Sequence, residues 1–376
     1  MVPDVEMSYR ERVSSPGPKK LLALDGGGIR GVITLEVLRR LESMLAEQLG
    51  AGDDFVLGDY FDYIGGTSTG AVIAAGLAKG LPVAEILDLY MTRGEEMFDH
   101  ASLRLRYHYR YGSLRLRHQL QDMLGKDTTL GSDELKTLLL IVVRNATTDS
   151  PWPLSNNPNA LFNDTSRADN NLAIPLWQLV RASTAAPTYF PPEVFAIEGR
   201  DYVFVDGALT TYNNPAFQLF LMATHDAYRL GWTATESDLL LVSVGTGNCP
   251  KGHDNLRPDS MNLLFNAASV PAALMHAALN EQDMLCRVFG RCRHGASMNL
   301  ELGNLMDHEG LLDQRLFSYV RYNTELTRQG LDELGLYDVV PEQVQKLDSI
   351  QHVGELSRVG QAAARDVGPE HFAGFL

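Results

Sequence analysis

Residues Gly66-Thr67-Ser68-Thr69-Gly70 place a serine between two glycines in the spacing GxSxG. A serine hydroxyl can attack an ester carbonyl once a base takes its proton, and flanking glycines suit a turn too tight for side chains. Chance places such a match in roughly one chain of this length in ten, so its surroundings must decide. Upstream, Tyr60 to Ile64 is a short apolar and aromatic run; downstream, AVIAAGLAKG is a small-residue helix pattern. A strand turning sharply into a helix at Ser68 would expose the hydroxyl. The same pattern fits a plain strand-helix junction with Ser68 as helix cap, and motif plus context divide evenly between the two.

A second glycine cluster, Gly26, Gly28 and Gly31, forms a literal GxGxxG between the apolar run Leu21 to Leu24 and a helical pattern from Val32 to Leu49. A dinucleotide-binding turn has this form, but it also needs an acidic residue about 20 positions on, at the end of the next strand. Here Glu47 falls inside the predicted helix, and Asp53 and Asp54 fall in a loop. A nucleotide-dependent oxidoreductase is therefore only partly matched. Successive backbone N–H groups at a helix N-terminus can equally hold the oxyanion of an acyl-transfer intermediate. A glycine turn that serves packing alone is the third reading.

A nucleophilic serine needs a base within reach. Ten histidines are available, yet none sits at a readable strand end. His100, His108 and His118 lie in or beside an arginine-rich stretch, and His225 and His276 fall in helical patterns. Asp206 is better placed. It follows Tyr202-Val203-Phe204-Val205 and precedes Gly207-Ala208, so it ends a strand, where sites assemble in open α/β sheets. An Asp that merely begins a turn is the plainer alternative.

Two strand-glycine-helix units, with further strand candidates at Leu138 to Val143, Tyr202 to Val205 and Leu239 to Val244, predict an α/β fold. A three-layer arrangement follows, with a mostly parallel central sheet and helices on both faces. Residues 1–18, polar and broken by Pro16, Gly17 and Pro18, read as a flexible leader. Residues 19–250 read as the core, and 251–376 as a mainly helical portion packed on the same domain. Ser155 to Asn171, rich in Asn, Asp, Ser and Pro, reads as a long surface loop.

Composition narrows the partners. Of 376 residues, 45% are hydrophobic and 21% charged, which suits a globule. The formal net charge of −15 argues against nucleic acid. Cys249, Cys286 and Cys292 make neither a disulfide framework nor a zinc motif, and a reducing, cytoplasmic setting is expected. Met1 to Lys20 holds no signal-peptide apolar stretch, and runs such as Leu138 to Val143 fall short of the roughly 18 residues of a membrane span. Ala101 to His118 holds Arg104, Arg106, Arg110, Arg115, Arg117, Tyr107, Tyr109 and Tyr111, with no acidic residue. That stretch could face anionic headgroups, bind a phosphorylated regulator, or pair internally.

Taken together, DGGGIRG (Asp25 to Gly31), GTSTG (Gly66 to Gly70) and VDGA (Val205 to Ala208) resemble the three motifs of the patatin-like phospholipases. RASTAAPTYFPP (Arg181 to Pro192), VSVGTG (Val242 to Gly247) and YVRYN (Tyr319 to Asn323) are similar to further family segments. The resemblance spans about Lys19 to Gly247. It implies a Ser-Asp dyad without histidine, with Ser68 as nucleophile and Asp206 as general base. It also implies oxyanion-hole amides from Gly26, Gly27 and Gly28, with Arg30 holding that loop or the anion. Gly31, Gly66, Gly70 and Gly207 support the motifs. The implied activity is fatty-acyl ester hydrolysis of membrane phospholipids through an acyl-enzyme, of phospholipase A or lysophospholipase type. It would run without cofactor or metal, at the inner membrane surface. Activation by a cyclic oligonucleotide, as in some bacterial members, and an idle storage or binding protein are the alternatives. A carboxylate is a feeble base at neutral pH, so the dyad requires Asp206 to be largely buried.

Overall fold

In a computed structural model, the structure describes residues 8–97, 109–250, 257, 261–306 and 312–376. Among them, nine strands form a single sheet. In chain order these are β1 (Lys19–Leu24), β2 (Tyr63–Thr67), β3 (Leu138–Asn145), β4 (Ser150–Ser155), β5 (Glu193–Ile197), β6 (Arg200–Asp206), β7 (Leu239–Val244), β8 (Arg291–His294) and β9 (Ser318–Tyr322). The spatial order is β5-β6-β3-β2-β1-β7-β9-β8, with β4 paired to β3. From β3 across to β8 the neighbours along this path are parallel, while β4, β5 and β6 join antiparallel.

The flanking helices are α1 (Tyr9–Ser14), α2 (Gly31–Leu49), α3 (Leu57–Tyr60), α4 (Thr69–Ala78), α5 (Val83–Met97) and α6 (Leu114–Leu124). They continue with α7 (Leu176–Ser183), α8 (Ala216–Thr224), α9 (Leu263–Phe289), α10 (Arg328–Glu333), α11 (Pro341–Val344) and α12 (Val353–Ala363). This is the α/β class expected, a mostly parallel sheet flanked by helices. The central strands explain it: every residue of β2 and β7 is buried, as apolar runs covered on both faces must be. Helix α4 is buried along its whole length because GAVIAAGLA offers small and aliphatic side chains on all sides.

Three segments depart from the sequence reading. Part of the expected leader packs against the fold. Tyr9 is fully buried, and Arg12 reaches Gly58 O and Lys136 O at 2.7 Å and faces Asp62 at 3.5 Å. The portion beyond residue 250 keeps its helices but also supplies β8 and β9. These strands carry Arg291, Arg293 and Arg321 in place of an unbroken apolar run, which is why hydropathy passes over them. The Asn-rich stretch after β4 is hydrogen-bonded inward. Asn156 Oδ1 accepts from Leu139 N at 2.7 Å, and Asn163 Nδ2 donates to Ser155 O and Asn157 O.

Strand β9 makes a connection that locks the front of the sheet. Arg321 donates to both oxygens of Asp25, at 2.8 and 2.6 Å, and to Ser243 Oγ at 2.6 Å. Both charged side chains are essentially buried, so the bidentate geometry has to offset two desolvations. Asp25 opens the first glycine cluster, and the pair thereby fixes where that cluster leaves β1. Arg321→Met, which strands the Asp25 charge, should lower stability by about 3–5 kcal/mol. Urea denaturation will read this, and an unchanged midpoint would mean that the pair holds nothing.

Candidate active site

Strand β3 offers one edge to two different strands. Along that edge Thr67, the last residue of β2, sits opposite Val142, and Asp206, the last residue of β6, sits opposite Val143. The other edge of β3 is occupied by β4, with Pro153 and Trp152 at the same two positions. A strand has only two edges, so β2 and β6 must meet end to end on the first. Ser68 and Asp206 stand at that junction. Ser68 Oγ donates to Asp206 Oδ2 at 2.7 Å.

The junction needs local devices. Ser68 has φ 56° and ψ −122°, a conformation non-glycine residues seldom adopt, which turns its side chain out of the strand. Gly66 and Gly70 permit it: a Cβ on Gly66 would come within 2.1 Å of Gly70 O, and one on Gly70 within 2.2 Å of Leu24 O. Ser183, at the end of α7, completes the ladder where β2 has departed. Its hydroxyl donates to Val142 O at 2.6 Å and accepts from Ser68 N at 2.9 Å. On the other side, Ala208 N donates to Asp206 Oδ1 at 2.8 Å, leaving Oδ2 to face Ser68.

The first glycine cluster arches over Ser68. Gly26 N donates to Asn213 O at 3.1 Å, so that amide is already engaged, contrary to the role the family resemblance implies for it. Gly26 O accepts from Thr246 Oγ1 at 2.9 Å, and Ile29 N donates to Leu347 O at 2.9 Å. Between these anchors the N–H groups of Gly27 and Gly28 make no hydrogen bond among the described residues. Gly28 has φ 61°, which keeps the loop open without a side-chain penalty. Arg30 Nε donates to Gly27 O at 3.4 Å and its Nη1 meets Cys249 Sγ, so this arginine braces the loop.

A cavity of about 250 Å³ opens at these groups. Ser68, Asp206, Arg30 and Gly26 to Gly28 form its polar end. Its remaining walls are mainly apolar, among them Val72, Leu116, Phe190, Leu209 and Met275. No histidine lines it among the described residues. His225 is solvent-exposed beside Asp226, and His100 and His108 lie outside the described residues. So do Arg104, Arg106 and Tyr107 of the arginine-rich stretch. Of its described members, Arg110 pairs with Asp348 at 3.2 Å and covers the Tyr189 ring, and Arg117 covers the Trp177 ring. Glu47 lies in α2, and Asp53 and Asp54 between α2 and α3, none at the end of β2 where a ribose-binding carboxylate would stand. Among the described residues there is no group of three His, Cys, Asp or Glu side chains that could hold a metal ion. No described helix is long and apolar enough to cross a membrane.

Sequence reasoning passed over Ser183, Asn213, Thr246 and Arg321 as individuals. Three of them lie in segments that the family resemblance singled out, RASTAAPTYFPP, VSVGTG and YVRYN, which was the available signal.

A family model described as patatin-like phospholipase matches residues 22–220, more than half of the chain. The chain is 32% identical over 242 residues to a cGAMP-activated phospholipase of Vibrio cholerae, covering 60% of this chain and 64% of that protein. It is 32% identical over 245 residues to Patatin-17 of Solanum cardiophyllum, covering 60% of each. A cGAMP-activated phospholipase of Escherichia coli is 29% identical over 232 residues, covering 60% of this chain and 62% of that protein. The chain thus spans less than two thirds of the length of these relatives.

Asp206 is only 3% exposed, and burial pushes its carboxyl up to about 6. Donation from Ser68 and Ala208 and the nearby Arg181 charge act in the opposite sense. In the unfolded chain the group titrates near 3.8. The protonated form is therefore favoured by folding: its contribution is fully present below about pH 4 and is lost as pH rises through about 6. Asp206→Asn, which keeps the acceptor for Ala208 without the charge, should be more stable than the parent at neutral pH, by up to about 3 kcal/mol. The gap should close near pH 4. Thermal melts across that range check this, and a pH-independent difference would refute it.

Proposed function

Because the chain belongs to the patatin-like phospholipase family, we propose that it is a lipid acyl hydrolase that cleaves fatty-acyl esters of phospholipids with Ser68 and Asp206. The 2.7 Å contact between Ser68 Oγ and Asp206 Oδ2, at the polar end of an apolar cavity, is the observation that carries this reading. A nucleophile with a base within hydrogen-bond reach is the minimum for acyl transfer, and the apolar wall suits a hydrocarbon chain.

In this mechanism ionised Asp206 takes the Ser68 proton as the hydroxyl oxygen attacks the ester carbonyl. The carbonyl oxygen becomes an anion beside the Gly27 and Gly28 N–H groups, which line the cavity and have no hydrogen-bond partner among the described residues. The tetrahedral intermediate collapses by breaking the bond to the alcohol oxygen, and Asp206 returns the proton to that leaving oxygen. The products are an acyl-Ser68 ester and the lyso or glycerol-side alcohol. A water then gives its proton to Asp206 and attacks the acyl carbon, the bond to Ser68 Oγ breaks, and Asp206 returns the proton to that oxygen, which releases fatty acid and restores Ser68. Raised basicity makes the buried carboxylate a better proton acceptor than an exposed one, while at neutral pH it remains mostly ionised. Gly26 serves through its committed position, and Arg30 through its hold on Gly27 O. We assign the chemical groups to residues 19–250; the portion from 251 onward contributes Met275 and Leu347 to the cavity and Arg321 to the glycine loop.

Control by a small nucleotide is a second reading, favoured by similarity to the two cGAMP-activated phospholipases. One assay serves both readings: fatty-acid release from phospholipid vesicles without added metal, by the parent, Ser68→Ala and Asp206→Ala. The parent should release fatty acid, and each variant should lose about 10³-fold or more in kcat. Activity surviving in Ser68→Ala would refute the assignment. A parent protein silent alone and active with cGAMP would establish the nucleotide switch. A fluorophosphonate that fails to label Ser68 would mark the dyad as idle. The parent rate should also rise with pH through an inflection near 6, where Asp206 ionises.

A further inference from the structure

Helix α9 has two halves of different character. Its second half is tied to the sheet: Asp283 accepts from Tyr319 Oη at 2.9 Å and pairs with Arg287 at 2.9 Å, and Cys286 is fully buried. Its first half carries no Asp, Glu, Lys or Arg from Leu263 to Asn280. Val270, Ala273, Leu274 and Ala277 are nevertheless exposed there, Leu274 by 65% and Val270 by 48%. Their i, i+3, i+4, i+7 spacing places them on one helix face. The outward stripe of a surface helix is ordinarily charged or polar, so an aliphatic stripe on a chain of net charge −15 calls for an occupant.

That face adjoins the catalytic cavity. Met275, next to Leu274, lines the cavity, and so does Leu209, itself 40% exposed. Tyr189 is another wall residue, and the Arg110 guanidinium sits 5.0 Å from its ring centre with the side chain 61% exposed. Aliphatic surface and a cation therefore both adjoin residues of the cavity wall, with Asp348 sharing part of the Arg110 charge.

We propose that the Val270, Ala273, Leu274 and Ala277 face of α9 is a bilayer-docking surface that seats the cavity on a phospholipid membrane. This rests on the reading of the chain as a lipid acyl hydrolase. The face lacks the Tyr, Trp and Arg anchors on which protein-protein interfaces concentrate their energy, whereas short aliphatic side chains suit acyl tails. A helix lying in the interface buries its apolar side by roughly 5–10 Å, which accommodates this stripe without any span of the bilayer. The same depth brings the Met275 and Leu209 wall level with the ends of the acyl esters. Arg110 would then stand at the level of the headgroup phosphates.

The test uses the full chain with Ser68→Ala to measure binding apart from hydrolysis, and with Ser68 intact to measure rates. The double variant Val270→Asp, Leu274→Asp is compared with the parent. Its folding is checked by melting temperature, with Val270→Ser, Leu274→Ser as a milder second variant. Cosedimentation with vesicles of phosphatidylcholine and phosphatidylglycerol should fall about tenfold or more for the aspartate variant and less for the serine one. Fatty-acid release from those vesicles should fall in parallel, while hydrolysis of soluble p-nitrophenyl butyrate stays within about twofold of the parent. Unchanged vesicle binding by both variants would overturn the proposal. So would a parent that sediments as a dimer beside an aspartate variant that sediments as a monomer, which would assign the face to a second copy. A parent that binds vesicles through this face but cleaves neither lipid nor soluble ester, with or without cGAMP, would sink the hydrolase reading and leave the docking surface standing.

Discussion

Everything at the proposed active site depends on how one edge of β3 is shared. A β-strand edge presents a row of backbone groups that a neighbour must satisfy. Here β2 takes the first part of the row in parallel, and β6 takes the last part antiparallel. Where the two strands abut, neither can complete the ladder, and Ser183 fills the vacancy with its hydroxyl between Val142 O and Ser68 N. Residues 138 positions apart in the chain are thus brought within one hydrogen bond by backbone pairing, before any side-chain preference enters. A register slip of one residue in either strand would send Ser68 or Asp206 to the opposite face of the sheet.

The site is costly to build, and the surrounding fold offsets the cost. Ser68 holds a strained backbone, Asp206 is buried where its charge is poorly solvated, and the Gly27 and Gly28 N–H groups have no partner among the described residues. Each would relax if the neighbourhood allowed it. Relaxation is opposed by the fully buried α4 behind Ser68, by the Asn213 and Thr246 bonds on either side of Gly26, and by the Asp25–Arg321 pair at the root of the loop. Stability in these parts is what permits strain in the others.

How much of this was legible in the sequence follows from what each signal encodes. Leu239 to Val244 is aliphatic but for Ser243, and the strand occupies those same residues. GTSTG and DGGGIRG could be placed at strand ends because glycine marks backbone that side chains would obstruct. β9 escaped because its arginine, Arg321, reads as surface, and only the distant Asp25 makes it an interior residue. β4 escaped because Pro151 and Pro153 argue against a strand, yet they are tolerated where the partner ladder runs along one edge only. The commitment of Gly26 N to Asn213 was invisible for a related reason: the sequence shows that glycines are present, and three-dimensional neighbours decide which amides stay free. Tyr9 and Arg12 were read as leader because a short charged stretch carries no periodicity, and their burial depends on acceptors contributed by other loops.

The Asp25–Arg321 pair spans 296 residues of chain. During synthesis Asp25 leaves the ribosome long before its partner exists. At roughly 5–20 residues per second the interval is about 15–60 s. Over the later part of that interval the GTSTG turn and then the VDGA strand end have been made, while Asp25, at the root of the glycine loop, still lacks its ion-pair partner. A nascent chain therefore lacks the side chain that fixes the root of the glycine loop until β9 has been translated and inserted beside β7. Vectorial translation thereby acts as a timer, and a truncated product lacking β9 would leave the ribosome without the pair that holds the loop in place.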